Sequence, residues 1–391
     1  MSNTKYKHTI YACYLGYITQ AAGNNFTPLL FVTFHDTFGI PLSQITLLVA
    51  LNFIIQLFVD LASAKWIDRI GYRSAVVAAH IFSAAGLCGL AFFPFIFDPF
   101  AGLLLSVAFY AVGGGMIEVL VSPIVEATPT DNKSSAMSLL HSFYCWGTVL
   151  VILVSTGAFA AFGIGCWRIL ACVWALLPLA TAILFTRVPI LTLAEAEGDS
   201  MPMRELLGRR IFWVFVILMV GAGASEQGMI QWASTFAERG LGVTKAVGDI
   251  VGPCLFSVLM GAARIFYAKK SKSVDLLSCI IWSGALCIFS YLLAAFAPSP
   301  MLSLLGCALC GLSVGIMWPG IFSIANVKCK GGGTAMFALL ALAGDVGCAG
   351  GPSLVGAVSG AFGDSFTYGL AAAVIFPLML IICAAICKRI K

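Results

Sequence analysis

Twelve nearly continuous apolar stretches, each close to the roughly 20 residues a helix needs to cross a bilayer, constrain this chain more than any other feature. They run approximately over 9–34, 41–64, 75–97, 101–125, 134–162, 166–187, 211–237, 246–268, 274–297, 301–325, 333–360 and 365–387. Only 10% of the 391 residues are charged and 60% are hydrophobic, with a mean hydropathy of +1.00. A soluble globular domain is excluded on that balance. The runs are continuous rather than alternating, so an outer-membrane barrel is excluded as well. The expected fold class is an all-α membrane protein of twelve transmembrane helices. The first stretch follows Lys5 and Lys7 like a leader, but it is long for one and lacks a convincing cleavage site. It is expected to be the first span.

Basic residues set the expected orientation. With an even number of spans both termini share a side, and all but three of the 22 lysines and arginines fall there, the exceptions being Arg168, Arg239 and Lys245. Both termini are therefore expected in the cytoplasm, with the protein in the plasma membrane. The net charge of +5 is dispersed through loops, without a basic patch and interleaved aromatics, so no nucleic-acid partner is expected. The 14 cysteines are scattered, and the one CxxC, Cys307 and Cys310, has no further ligands nearby. Neither metal, disulfide nor cofactor is expected.

The longest polar interruption, RVPILTLAEAEGDSMPMRELLGRR over 187–210, falls between the sixth and seventh spans. It predicts an N-terminal six-helix bundle over 1–187, a cytoplasmic linker over 188–210 and a C-terminal bundle over 211–391. Six plus six is the layout of secondary transporters assembled from three-helix repeats, where the first helix of each repeat faces a central cavity. Polar residues gather on those helices, where lipid exposure would be costly. Tyr17, Gln20, Asn24 and Asn25 lie on span one, Tyr110 and Glu118 on span four, Glu226, Gln227 and Gln231 on span seven, and Trp318 and Asn326 on span ten. Gln227 and Gln231 are one helical turn apart and share a face. Each can also be explained as an interhelical tie; their clustering favours a polar cavity.

The stretch ASAKWIDRIGYR (62–73) resembles the signature of the major facilitator superfamily, a glycine, three residues, then Asp-Arg-x-Gly-Arg-Arg. Asp68, Arg69, Gly71 and Arg73 match it, while Ala64 and Tyr72 depart from it. The resemblance implies a cytoplasmic gating latch made by Asp68, Arg69 and Arg73. The stretch GGGMIEVLVSPIVEA (113–127) with HSFYCWG (141–147), and GIMWPGIFSIA (315–325), resemble the fucose-proton symporter branch. Glu118 takes that branch's glutamate position, Ser122-Pro123 stand for its Asn-Pro, and His141, Ser142, Phe143 and Gly147 match its span-five motif. Its span-one acid has Asn25 as the equivalent here, and asparagine cannot titrate.

The resemblance implies alternating access and proton symport of a small polar solute, a monosaccharide or polyol, with the chain acting as a monomer. Glu118, His141, Glu226 and Asp345 are the candidates for proton coupling. At 1.5 Å per residue Glu118 and His141 fall at a similar depth, where an acid and an imidazole can exchange a proton near neutral pH. Candidates for the solute are Tyr17, Gln20, Asn24, Asn25, Tyr110, Trp146, Glu226, Gln227, Gln231, Trp318 and Asn326, with the tryptophans suited to stacking on a sugar ring. Arg264, near an end of span eight, is expected to be a gate or anchor charge. A uniporter is the alternative that Asn25 leaves open. A proton-antiport exporter is another, although the span-five Gly-Pro signature of such proteins is missing from WGTVLVILVSTG (146–157). No HExxH, GxSxG or paired catalytic aspartates point to an intramembrane enzyme.

Overall fold

A computed structural model describes residues 6–129, 133–191, 203–270, 275–329 and 333–389; within these, the side chains of 63–69, 123, 126, 133–138, 203, 268–270, 326, 333–335 and 337–338 are outside the description. Among the described residues every regular element is helical. The helices are α1 (Lys7–Phe26), α2 (Phe31–Phe38), α3 (Leu42–Ile70), α4 (Tyr72–Ile96), α5 (Pro99–Ala127), α6 (Lys133–Phe162), α7 (Trp167–Arg187), α8 (Met203–Gly208), α9 (Arg210–Thr235), α10 (Lys245–Asp249), α11 (Leu255–Lys270), α12 (Leu276–Phe296), α13 (Pro300–Val314), α14 (Met317–Lys328), α15 (Gly333–Ala361), α16 (Phe366–Ala373) and α17 (Ile375–Arg389).

The boundaries follow from local chemistry. Gly39 and Gly71 take positive φ values of 68° and 84° where α2 and α3 stop, a conformation that costs glycine nothing. Asp98 caps α5 by accepting from the Ala101 amide at 3.0 Å, and Pro99 occupies the first turn, where its missing N–H is harmless. Several spans are composite. The tenth breaks between Val314 and Met317, the twelfth between Ala373 and Ile375, and the eighth joins α10 to α11 through a π turn at Ile250–Cys254 that contains Pro253. Short helix α8 lies inside the stretch expected to be linker.

Eleven helices among the described residues are long and apolar enough to cross a membrane. The remaining span is α1, whose Thr19, Gln20, Asn24 and Asn25 are all buried and dilute its apolar character. The solvent order of a soluble protein is reversed: Phe162, Trp282 and Ile169 are 80%, 75% and 71% exposed, while the amides lie inside. That distribution suits lipid outside and polar groups within. The chain is an all-α integral membrane protein.

It packs as two compact units, Met1–Pro41 with Leu51–Glu197, and Leu42–Ala50 with Gly198–Lys391. In the first, Ala12, Cys13, Tyr17, Val76, Ala79, Ile117, Val121, Leu140 and Phe185 form an apolar core joining α1, α4, α5, α6 and α7. In the second, α9 and α15 run so close that a Cβ on Gly223, Gly347 or Gly351 would collide with backbone of the facing helix. Small residues bring membrane helices together where no hydrophobic effect drives them.

Candidate functional site

The first unit contains a hydrogen-bonded cluster built on one face of α1. Gln20 donates to Glu118 of α5 at 2.6 Å, and the Tyr17 hydroxyl lies 3.0 Å from that of Ser122, one turn further along α5. The His141 ring of α6 lies 5.3 Å from the Tyr17 ring, so Glu118 and His141 approach the same stretch of α1 from two helices. Asn24 donates to the Tyr144 hydroxyl at 3.4 Å. Asn25 donates to the Ala21 carbonyl at 3.0 Å and to Thr148 Oγ1 at 3.1 Å. Tyr110 is buried against Gly23, and Trp146 is 40% exposed.

Two members of this cluster were missed in the sequence. Asn52 and Gln56 of α3 both donate to Asn24 Oδ1, at 3.2 and 3.1 Å, and Gln56 also donates to Asn52 Oδ1 at 3.0 Å. Their four-residue spacing in an apolar helix was the available signal. Gly114 and Gly115 of α5 explain how Gln56 comes so near: a side chain at Gly115 would press on the Gln56 backbone. His80 of α4 was missed as well. It is fully buried, with Nδ1 2.7 Å from the Val76 carbonyl.

The second unit holds its own cluster on α9. Gln227 donates to Glu226 Oε1 at 3.3 Å, and Gln231 donates to Gln227 Oε1 at 2.9 Å. Arg264 of α11 places its guanidinium 3.6 Å from Glu226 Oε2, and both side chains are nearly buried, at 12% and 7% exposure. Asp345 is buried on α15, next to Gly344, on which the Trp318 ring packs. A third set of charges, unforeseen, lies beyond the end of α9. There Lys245 pairs with Glu238 and Asp249, each at 3.2 Å, and Ser234 donates to Asp249 at 2.5 Å.

Of the expected latch, Arg73 donates to the carbonyls of Phe185, Thr186 and Val188 at 2.7 to 2.9 Å, capping the end of α7 within its own unit. A cation is favourable there because the last carbonyls of a helix lack partners and carry partial negative charge. The side chains of Asp68, Arg69 and Asn326 lie outside the described residues. No group of three or more His, Cys, Asp or Glu side chains suited to a metal occurs among the described residues.

A polytopic helical protein with acids and amides drawn inward and apolar side chains turned outward has the make-up of a membrane transporter. Residues 13–352 match the family model described as Major Facilitator Superfamily, and the chain belongs to that superfamily. One curated relative is the membrane protein MosC of Rhizobium meliloti, 26% identical over 264 residues; the match covers 66% of this chain and 62% of the relative's length. Among solved structures, a D-xylose-proton symporter superposes with a TM-score of 0.78 at 13% identity, covering 98% of each chain. A bacterial homologue of the human lysosomal transporter Spinster gives 0.75 at 17% identity, with 99% of this chain and 97% of that one covered. The E. coli fucose:proton symporter gives 0.66 at 14% identity, with 98% and 99% covered. At these identities the structures share the fold. The chain is a transporter and not an enzyme.

Proposed function

We propose that this transporter moves a small polyhydroxylated solute, a monosaccharide or polyol, together with a proton across the plasma membrane by alternating access, as a monomer with both termini in the cytoplasm. The observation that carries the reading is the 2.6 Å bond from Gln20 to Glu118. It puts a titratable acid among amides and hydroxyls inside a span where a charge is costly to keep. An amide holds the carboxyl in position whether or not it is protonated, because its N–H can donate to either form. Glu226, with Gln227 on one oxygen and Arg264 beside the other, is the corresponding acid of the second unit. Hydroxyl-rich solutes suit such sites, since Gln, Asn and carboxylate groups offer both donors and acceptors. The sugar-proton symporters among the structural neighbours support the same reading.

Uniport is the second reading, and Asn25 favours it. The proton-coupled branch that the sequence resembles has an acid there, whereas this chain has an amide that spends its N–H groups on Ala21 and Thr148. The test is the melting temperature of the purified protein against sugars, polyols, organic acids and amphipathic compounds at two pH values, since a ligand that binds only the folded state raises it. Symport predicts a shift confined to a few sugars or polyols and dependent on pH. A sugar shift indifferent to pH supports uniport. A response to amphipathic compounds alone contradicts both and favours export.

A further inference from the structure

We infer that Arg264 is a positioning residue that couples the charge on Glu226 to the break in the tenth span. The break has a local cause. In a continuous helix the Gly315 carbonyl would accept from the amide four residues on, but that residue is Pro319, which has no N–H and whose ring crowds the same carbonyl. The helix stops at Val314 and restarts at Met317. The orphaned Gly315 carbonyl receives its hydrogen bond from another helix instead: Arg264 Nε of α11 donates to it at 3.3 Å. Glycine is needed at 315 for this approach, because a Cβ there would meet Ala263 and the Met260 carbonyl.

The same guanidinium stands 3.6 Å from Glu226 Oε2, an oxygen that is buried and has no hydrogen-bond partner among the described residues. One planar group therefore serves an acid on α9 and a stranded carbonyl on span ten. Its fork geometry can satisfy both only in a narrow range of orientations. While Glu226 is ionised, attraction holds the guanidinium between them. Neutralising Glu226 removes that attraction, and the guanidinium shifts toward its remaining acceptors. The hydrogen bond that stands in for the missing Pro319 amide then changes, and α13 and α14 reorient about Gly315–Ile316. Other titratable groups beside this stretch of α9 are Cys348 on α15, next to Gly223, and Tyr291 on α12 and Cys310 on α13, both at the Ser225 carbonyl; Asp345 is buried on α15. Tyr291 is committed to the Ser225 carbonyl at 2.9 Å. The inference rests on the proposed reading in taking alternating access as given, and it adds that Glu226 is neutralised at one stage of the cycle while Glu118 carries the transported proton.

Amide hydrogen exchange over 312–320 in the purified protein tests it without any substrate. Glu226→Gln is expected to change exchange at Gly315–Trp318 by about tenfold in the otherwise native chain, and by less than about twofold in the Arg264→Gln background, the non-additivity of coupled sites. Pro319→Ala provides a second arm, since it returns an N–H to the Gly315 carbonyl and makes the arginine dispensable there. The response to Glu226→Gln should vanish in it too. An equal response in either background, or none in a Glu226→Gln protein that melts like the native one, overturns the coupling. Failure to bind any sugar with the exchange response intact would overturn the transport reading alone.

Discussion

Asn25 shows how much one side chain can reveal once its partners are known. Its Nδ2 donates to the Ala21 carbonyl on its own helix and to Thr148 on α6, so the position demands a donor. An ionised aspartate there would set a carboxylate oxygen against the Ala21 carbonyl in place of an N–H, and losing a buried hydrogen bond in this way costs about 1–3 kcal/mol. Asn25→Asp is therefore expected to lower the melting temperature of the purified protein; an unchanged value would mean that the amide is not held as described. Residues of this kind were only partly legible in the sequence. Glu118, Gln20 and Glu226 stood out because a charge or amide inside an apolar run is rare and costly. Asn52 and Gln56 did not, because they lie on a span outside the four expected to face the cavity. What brings them to Asn24 is a close approach of α3 to the glycines of α5, which no periodicity reports.

At the scale of elements, close helix packing in the second unit depends on which glycines face backbone. A Cβ on Gly347 would run into the Val220 carbonyl and the Ala224 amide, whereas one on Gly350, three residues along the same helix, would meet open space. Gly347→Ala should therefore destabilise by about 1–3 kcal/mol through overpacking, and Gly350→Ala should be neutral or stabilise by up to about 1 kcal/mol through helix propensity. Thermal melts of the two variants side by side check this, and equal behaviour would contradict the packing. The spans themselves were legible because lipid imposes length and apolarity on every one of them. The breaks were not all legible. Pro319 lay in plain sight, yet a proline within a membrane helix is tolerated when a neighbour supplies the missing bond, and Arg264 is such a neighbour from 55 positions earlier in the chain. Arg73 was expected in a latch, and its hydrogen bonds to the carbonyls ending α7 follow from where α7 stops relative to α4.

For the whole molecule, the apolar exterior and the run of long apolar helices follow from composition, whereas membership of the superfamily rests on the match of its family model over residues 13–352. The direction of coupling rests on far fewer atoms. Each unit keeps an acid among amides, Glu118 with Gln20 and Glu226 with Gln227, and the account assigns the transported proton to the first of these. The direct test is solute transport by the native protein and Glu118→Gln in liposomes, measured both as uphill accumulation driven by an inward proton gradient and as exchange of labelled for unlabelled solute at equilibrium. The variant keeps a hydrogen-bonding side chain of the same shape and removes the titration. The account predicts that Glu118→Gln abolishes accumulation while exchange persists. Undiminished accumulation by the variant would contradict it, and so would loss of exchange together with accumulation in a variant that melts like the native protein.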